Sequence, residues 1–187
     1  LTLKKQPSIA SVKHWLETFV IGNNLCPFAG REFFSDRVRF SYTDASNELQ
    51  LLDMLADEIK LLQQNLTIET TLLIHPLVLK DFNDYNQFLD QAEQLIEELE
   101  LLGIYQIAGF HPNYQFRGSQ PADAENYTNR SPYPLLHLLR EQSVEQAIIS
   151  HPDISAVPAN NIALMNQMGT ATLSTTLQSY RQLGTKE

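Results

Sequence analysis

A single cysteine, Cys26, stands in the 187-residue chain, so no disulfide can form within it. A lone thiol fits a reducing compartment. No apolar run approaches the ~18 residues that a membrane-spanning helix needs. The chain has no Gly-x-Gly-x-x-Gly and no Walker-type loop, which disfavours dinucleotides and nucleoside triphosphates as ligands. It also lacks internal repeats, linkers and low-complexity stretches. Residues 1–187 therefore read as a single domain, long enough to hold a core without disulfides or structural metal. Leu1 to Pro7 contains no apolar core of signal-peptide type, and Leu rather than Met at the first position points to residues missing upstream. The Asn-x-Ser/Thr triplets at Asn65, Asn126 and Asn129 matter only in a secreted protein. The expected compartment is the cytoplasm.

Basic residues are also scarce. Thirteen Lys/Arg face 22 Asp/Glu, a net charge of −9. Such a body repels phosphate backbones and excludes general nucleic-acid binding. Residues 41–100 carry the excess, with two basic against thirteen acidic side chains. That stretch coincides with two amphipathic helices, so it reads as a solvated face. A docking surface for a basic protein partner is the alternative.

The periodicity of apolar residues predicts the elements. A helix runs from a Ser8 cap to about Val20 and stops at Gly22. A strand covers Arg37 to Thr43. A second helix, capped by Asp44 or Ser46, spans Asn47 to Gln64. A strand over Glu69 to His75 ends at Pro76. Asp81 caps a third helix that Gly103 stops, and Ile104 to Phe110 is a third strand. After a long polar loop, Asn113 to Arg130, a helix is expected from Ser131-Pro132 through His151. Helices over Asn160 to Met168 and Ala171 to Leu183 finish the chain. The expected fold is α/β: a small parallel or mostly parallel three-stranded sheet with helical crossovers and a helical C-terminal part.

In parallel sheets, sites lie beyond the carboxyl ends of the strands. Two strands end there in His-Pro, His75-Pro76 and His111-Pro112, so both imidazoles are expected at one edge. Either suits acid/base work near neutral pH. Cys26, held extended before Pro27, is a candidate nucleophile if a histidine activates it; as a buried apolar side chain it does no chemistry. His137 and Glu141, four apart on one helix face, form an orienting or relay pair. The expected helix start at Ser131 offers free N–H groups to an anion, with Arg130 as a bidentate donor and Asn126 and Asn129 alongside. Asn113 and Tyr114 line the edge. Arg140, next to Glu141, completes the candidate ligand-binding set. Cys26, His75, His111 and His137 show no recognised metal spacing, so no metal is expected. The sequence names no cofactor.

Four motifs stand in order: Leu25-Cys26-Pro27-Phe28-Ala29; Thr70-Thr71-Leu72-Leu73-Ile74-His75-Pro76; Phe110-His111-Pro112-Asn113-Tyr114-Gln115-Phe116; and the run from Asn126 to Glu141. Together they resemble a family of bacterial proteins known only as a domain of unknown function. The resemblance covers about Val12 to Met168. It implies a stand-alone bacterial domain and supplies no reaction, substrate or cofactor.

The reading these residues favour is a small enzyme acting on an anionic small molecule by hydrolysis or group transfer. Arg130 would hold the anion, His111 would be acid/base with His75 as second imidazole, and Cys26 the nucleophile. The alternatives are a non-catalytic anion-binding or sensor domain using the same pocket, a metal-dependent enzyme, and a partner protein working through the acidic face.

Overall fold

The computed structural model describes residues 2–151 and 153–183. Helix α1 (Thr2–Trp15) begins upstream of the expected Ser8 cap and runs into a wider turn, Leu16–Ile21, where Gly22 N–H donates to the Glu17 carbonyl at 3.0 Å. Gly22 ends it by close approach rather than by left-handed backbone. Its φ is −58°, and a Cβ there would lie 2.3 Å from the Thr18 carbonyl oxygen. The left-handed turn falls to Asn24, at φ 53°. A short helix, α2 (Ala29–Phe34), leads to β1 (Val38–Tyr42).

In α3 (Glu48–Gln64), Leu51, Leu55, Ile59 and Leu62 recur at three- and four-residue spacing and are fully buried. Its cap is Asn47, which accepts from Gln50 N–H, and not Asp44 or Ser46. The Ser46 hydroxyl is turned onto Gln50 Oε1, so Asn47 holds the capping position. Strand β2 (Thr70–Ile74) is buried throughout, and Asp81 caps α4 (Phe82–Glu98) through the N–H groups of Asn83 and Asp84. Strand β3 (Tyr105–Phe110) follows.

The expected helix over residues 131–151 is instead two elements, β4 (Leu135–Arg140) and α5 (Glu141–Ser150). The sheet thus has four strands in the order β1-β2-β4-β3. It is mixed: β1 and β2 are parallel, and β4 runs antiparallel to both neighbours. The apolar run Leu135-Leu136-His137-Leu138-Leu139 reads as a helix because it does not alternate. A central strand covered on both faces has no reason to alternate. Leu135, Leu136 and Leu138 are all at 0% exposure.

Period-two alternation divides the core. Leu73, Leu136 and Leu138 pack with α3 and α4, against Leu55, Ile59, Tyr85 and Phe88. Leu72, Ile74 and Leu135 face the other way, onto Val12 and Trp15 of α1 and Leu173, Leu177 and Tyr180 of α7 (Thr170–Leu183). Helix α6 (Val157–Met168) joins that second layer through Met165. The result is an α/β fold with helices on both faces and a helical C-terminal part. No helix among the described residues is long and apolar enough to cross a membrane.

Candidate functional site

Strands β1, β2 and β3 point the same way, so the loops that leave them meet at one edge, which β4 enters. Tyr85 of α4 ties this edge together. Its hydroxyl donates to the Leu135 carbonyl at 2.8 Å and accepts from Phe110 N–H at 3.0 Å. Gly109 is needed for that approach, since a Cβ would come within 2.9 Å of the Tyr85 hydroxyl.

His75 and His111 flank Tyr85, with ring centroids 5.9 and 5.0 Å from its own. Both imidazoles are fully buried. His75 Nδ1 lies 3.2 Å from the Val78 carbonyl, which makes it the protonated nitrogen. Nε2 of His75 is buried without a partner. Burial pulls its pKa down to about 3, against a weaker opposing push from the bond to Val78. His111 accepts from Asn113 N–H at Nδ1 (3.0 Å) and therefore donates from Nε2 to the Leu79 carbonyl (3.2 Å). Burial is also the main cause of its pKa, about 4; Arg181 lowers it further and Asp81 opposes. The two histidines thus pin the loop over residues 76–80, in which Leu79 takes a left-handed backbone, φ 55°. On its outer side, that loop and the first turns of α3 and α4 line an open cleft of about 620 Å³, with Asn47, Leu77, Lys80, Asp81 and Asp84 among its walls.

The other sequence-predicted residues divide sharply. Asn126 is buried and spends its amide on the loop before it, accepting from Phe116 N–H and Ser119 Oγ and donating to the Gln120 carbonyl. Ser131 is buried, donating to the Tyr133 carbonyl. It starts no helix, so no helix N-terminus offers N–H groups to an anion there. Tyr114 packs on Phe82 and Phe116, and its hydroxyl bonds the Asn129 side chain. Asn113 is exposed.

His137 and Glu141 do not form a helix pair. His137 lies mid-strand on the α1 face, its Nε2 2.7 Å from Thr70 Oγ1, with its pKa lowered by burial to about 4. Four residues of extended chain, roughly 13 Å, carry Glu141 to the opposite edge. Arg140 is there too, bonded to the carbonyls of Leu62, Asn65 and Ile68 and to the Tyr105 hydroxyl. Cys26 sits partly buried in the loop before α2, packed on the α1 side of the core. Among the described residues no hydrogen bond joins it to a histidine.

Arg130 remains at the carboxyl edge. Its Nε donates to the Tyr114 carbonyl and Nη2 to that of Pro121, while the guanidinium lies 4.4 Å from the centroid of the Tyr127 ring. A residue that the sequence did not single out joins it. Tyr180 anchors α7 to α1: its hydroxyl lies 2.8 Å from Thr18 Oγ1 and its carbonyl accepts from Ser11 Oγ. The next residue, Arg181, then donates from Nε to the Pro132 carbonyl at 3.1 Å. Both guanidiniums thus bond carbonyls of the same 114–132 segment. Desolvation is the main cause that lowers the Arg181 pKa; the neighbouring tyrosines raise it and Arg130 lowers it further. Neither arginine ion-pairs with a carboxylate among the described residues; the ion pairs there involve Arg31, Arg37 and Arg39. Tyr133 and Tyr127 are the tyrosines beside Arg181.

A model of a family described as protein of unknown function matches residues 7–175. The chain belongs to that family, DUF1415. The matched span takes in both His-Pro corners and Arg130, while Arg181 lies past its end. No curated protein and no solved structure matches the chain. Among the described residues, no group of three or more His, Cys, Asp or Glu side chains is placed to hold a metal ion.

Proposed function

We propose that this protein binds a small anionic molecule at the carboxyl edge of its sheet, held by Arg130 and Arg181. One observation carries the reading: two partly buried guanidiniums are held by backbone carbonyls of the 114–132 segment, and neither has a carboxylate partner among the described residues, in a chain of net charge −9. A protein this acidic has carboxylates to spare, and charges taken out of water are ordinarily paired. The spare N–H groups of two planar forks suit a carboxylate or phosphate.

A thermal-melting series in different anions at fixed ionic strength tests this. A ligand present at 100 times its Kd adds about 2.7 kcal/mol to stability. Phosphate or formate should therefore raise Tm above a chloride baseline, and Arg130→Gln should remove the rise. Identical melting in every anion would sink the proposal.

Turnover of the bound anion, by hydrolysis or group transfer, is the second reading. It is favoured by the unpartnered Nε2 of His75, an acceptor at the same edge. A pKa of about 3 makes that nitrogen a weak base. The couple of Cys26 with a histidine has no hydrogen bond behind it. Binding is therefore the stronger reading, and His75 and His111 are assigned to holding the loop that borders the site.

A further inference from the structure

We infer that the amino edge of the sheet, where α5 leaves β4, is a docking surface for a basic amphipathic helix of another protein. The starting point is a helix without a core. None of the ten residues of α5 is buried. Val144, Ala147 and Ile148 stand at three- and four-residue spacing on one stripe, yet Ile148 is exposed and Ile149 beside it is 76% exposed. A helix this short owes its stability in water to packing of its apolar stripe, and no residue of α5 completes that packing. The helix is tied at its ends: Glu141 N–H donates to the Ile104 carbonyl at 2.9 Å, and the His151 ring meets that of Phe28.

The turns around its start are apolar as well. Arg140 binds the carbonyls of Leu62, Asn65 and Ile68 and the Tyr105 hydroxyl, which draws the turn after α3 against the turn between α4 and β3. Leu66 on the first turn is 79% exposed and Leu102 on the second 63%, with Leu99 and Ile104 exposed beside it. Single exposed leucines are ordinary. Four large apolar side chains on two joined turns, next to an unfinished helix, mark an interaction surface.

Charge selects the occupant. Residues 62–68, 96–104 and 141–150 carry these side chains, and they hold five glutamates and no Lys or Arg. None of the five, Glu97, Glu98, Glu100, Glu141 and Glu145, is ion-paired among the described residues. A second copy of the chain would set twice that number of carboxylates against each other. A partner with apolar side chains at the centre and Lys or Arg at the rim meets both the leucines and the carboxylates. An amphipathic helix presents that pattern on one face and can lie along α5. This surface is at the opposite edge from Arg130 and Arg181, so the inference is independent of the anion-binding reading.

The experiment titrates the whole protein near neutral pH into a labelled amphipathic helical peptide of Leu and Lys, about five turns long, and reads fluorescence anisotropy. A peptide of Leu and Glu in the same pattern is the comparison. The Leu/Lys peptide should bind at least about tenfold more tightly, and amide exchange across residues 142–150 should slow in the complex. Leu102→Lys and Ile149→Lys, on separate elements, should each weaken binding at least about tenfold. Leu49→Lys makes the same change of charge at an exposed leucine at the far end of α3, and should leave binding within about twofold.

Failure of the Leu/Lys peptide to bind, equal binding of both peptides, equal loss in Leu49→Lys, or exchange in α5 that the peptide leaves unchanged overturns the inference. So does self-association in sedimentation equilibrium that Leu102→Lys or Ile149→Lys abolishes, which assigns the surface to a second copy.

Discussion

The two edges of the sheet each hold arginine, and they use it differently. At one edge Arg140 has both terminal nitrogens engaged: three carbonyls take its Nη2 and the Tyr105 hydroxyl takes Nη1. These carbonyls belong to the end of α3 and the turn after it, so Arg140 closes that turn onto β4. At the other edge Arg130 and Arg181 are tied down by fewer bonds among the described residues. The carboxyl edge repeats the contrast within itself. His111 has both ring nitrogens engaged by backbone, whereas the guanidiniums keep donors in reserve. A polar group whose bonds are all internal holds architecture together. One that is positioned yet unfinished is available to a ligand.

The buried histidines should fail first when their protonation is changed. His75, His111 and His137 have pKa values of about 3, 4 and 4, below the ordinary 6.5. The unfolded chain therefore takes up protons before the folded one does. Stability is fully present above pH ~6.5 and is lost as pH falls towards the folded values. Linkage gives about 1 kcal/mol per histidine between pH 6.5 and 5.5, about 3 kcal/mol for the three. Urea midpoints across that interval measure it, and a flat profile would show that these imidazoles are not held neutral. Arg140→Ala comes next, with an expected loss of about 2 to 3 kcal/mol at neutral pH, since hydrogen bonds to a charged group contribute more than neutral ones. Its anion affinity should be unchanged. A loss of affinity would mean that the two edges are not separable.

The three strands that lead to the carboxyl edge were legible in the sequence. Val38, Phe40 and Tyr42 alternate, and Thr70 to Ile74 and Tyr105 to Phe110 are short apolar segments closed by Pro or His-Pro. The convergence of His75 and His111 follows from their direction alone. Strand β4 was not legible, because burial on both faces erases the alternation that marks a strand. That one misreading carries several others with it: the helix start at Ser131, the His137–Glu141 pair and the three-stranded sheet all depended on a helix. Arg181 left no local signal. It sits on an ordinary amphipathic helix, and only the docking of Tyr180 against Thr18 and Ser11 brings it beside Pro132.

Tyr85 tests the comparison inside the carboxyl edge. Tyr85→Phe leaves the Leu135 carbonyl and Phe110 N–H without their shared partner, at a cost of about 1 to 2 kcal/mol. The phenyl ring still fills its place between the two histidines, so the loop they pin should stay in position. Calorimetric unfolding reads the stability, and amide exchange at Phe110 should accelerate in step.

The smallest stability effect belongs to Arg181→Gln. Among the described residues one hydrogen bond ties the side chain, to the Pro132 carbonyl, and removing its charge relieves repulsion with Arg130. The two changes oppose each other, so the net change should stay within about 0.5 kcal/mol, the range of an ordinary surface substitution. If Arg181 were architectural in the way Arg140 is, the same substitution would cost several times as much. A urea midpoint that barely moves, in a protein whose response to phosphate has collapsed, is the result that separates an unfinished charge from a saturated one.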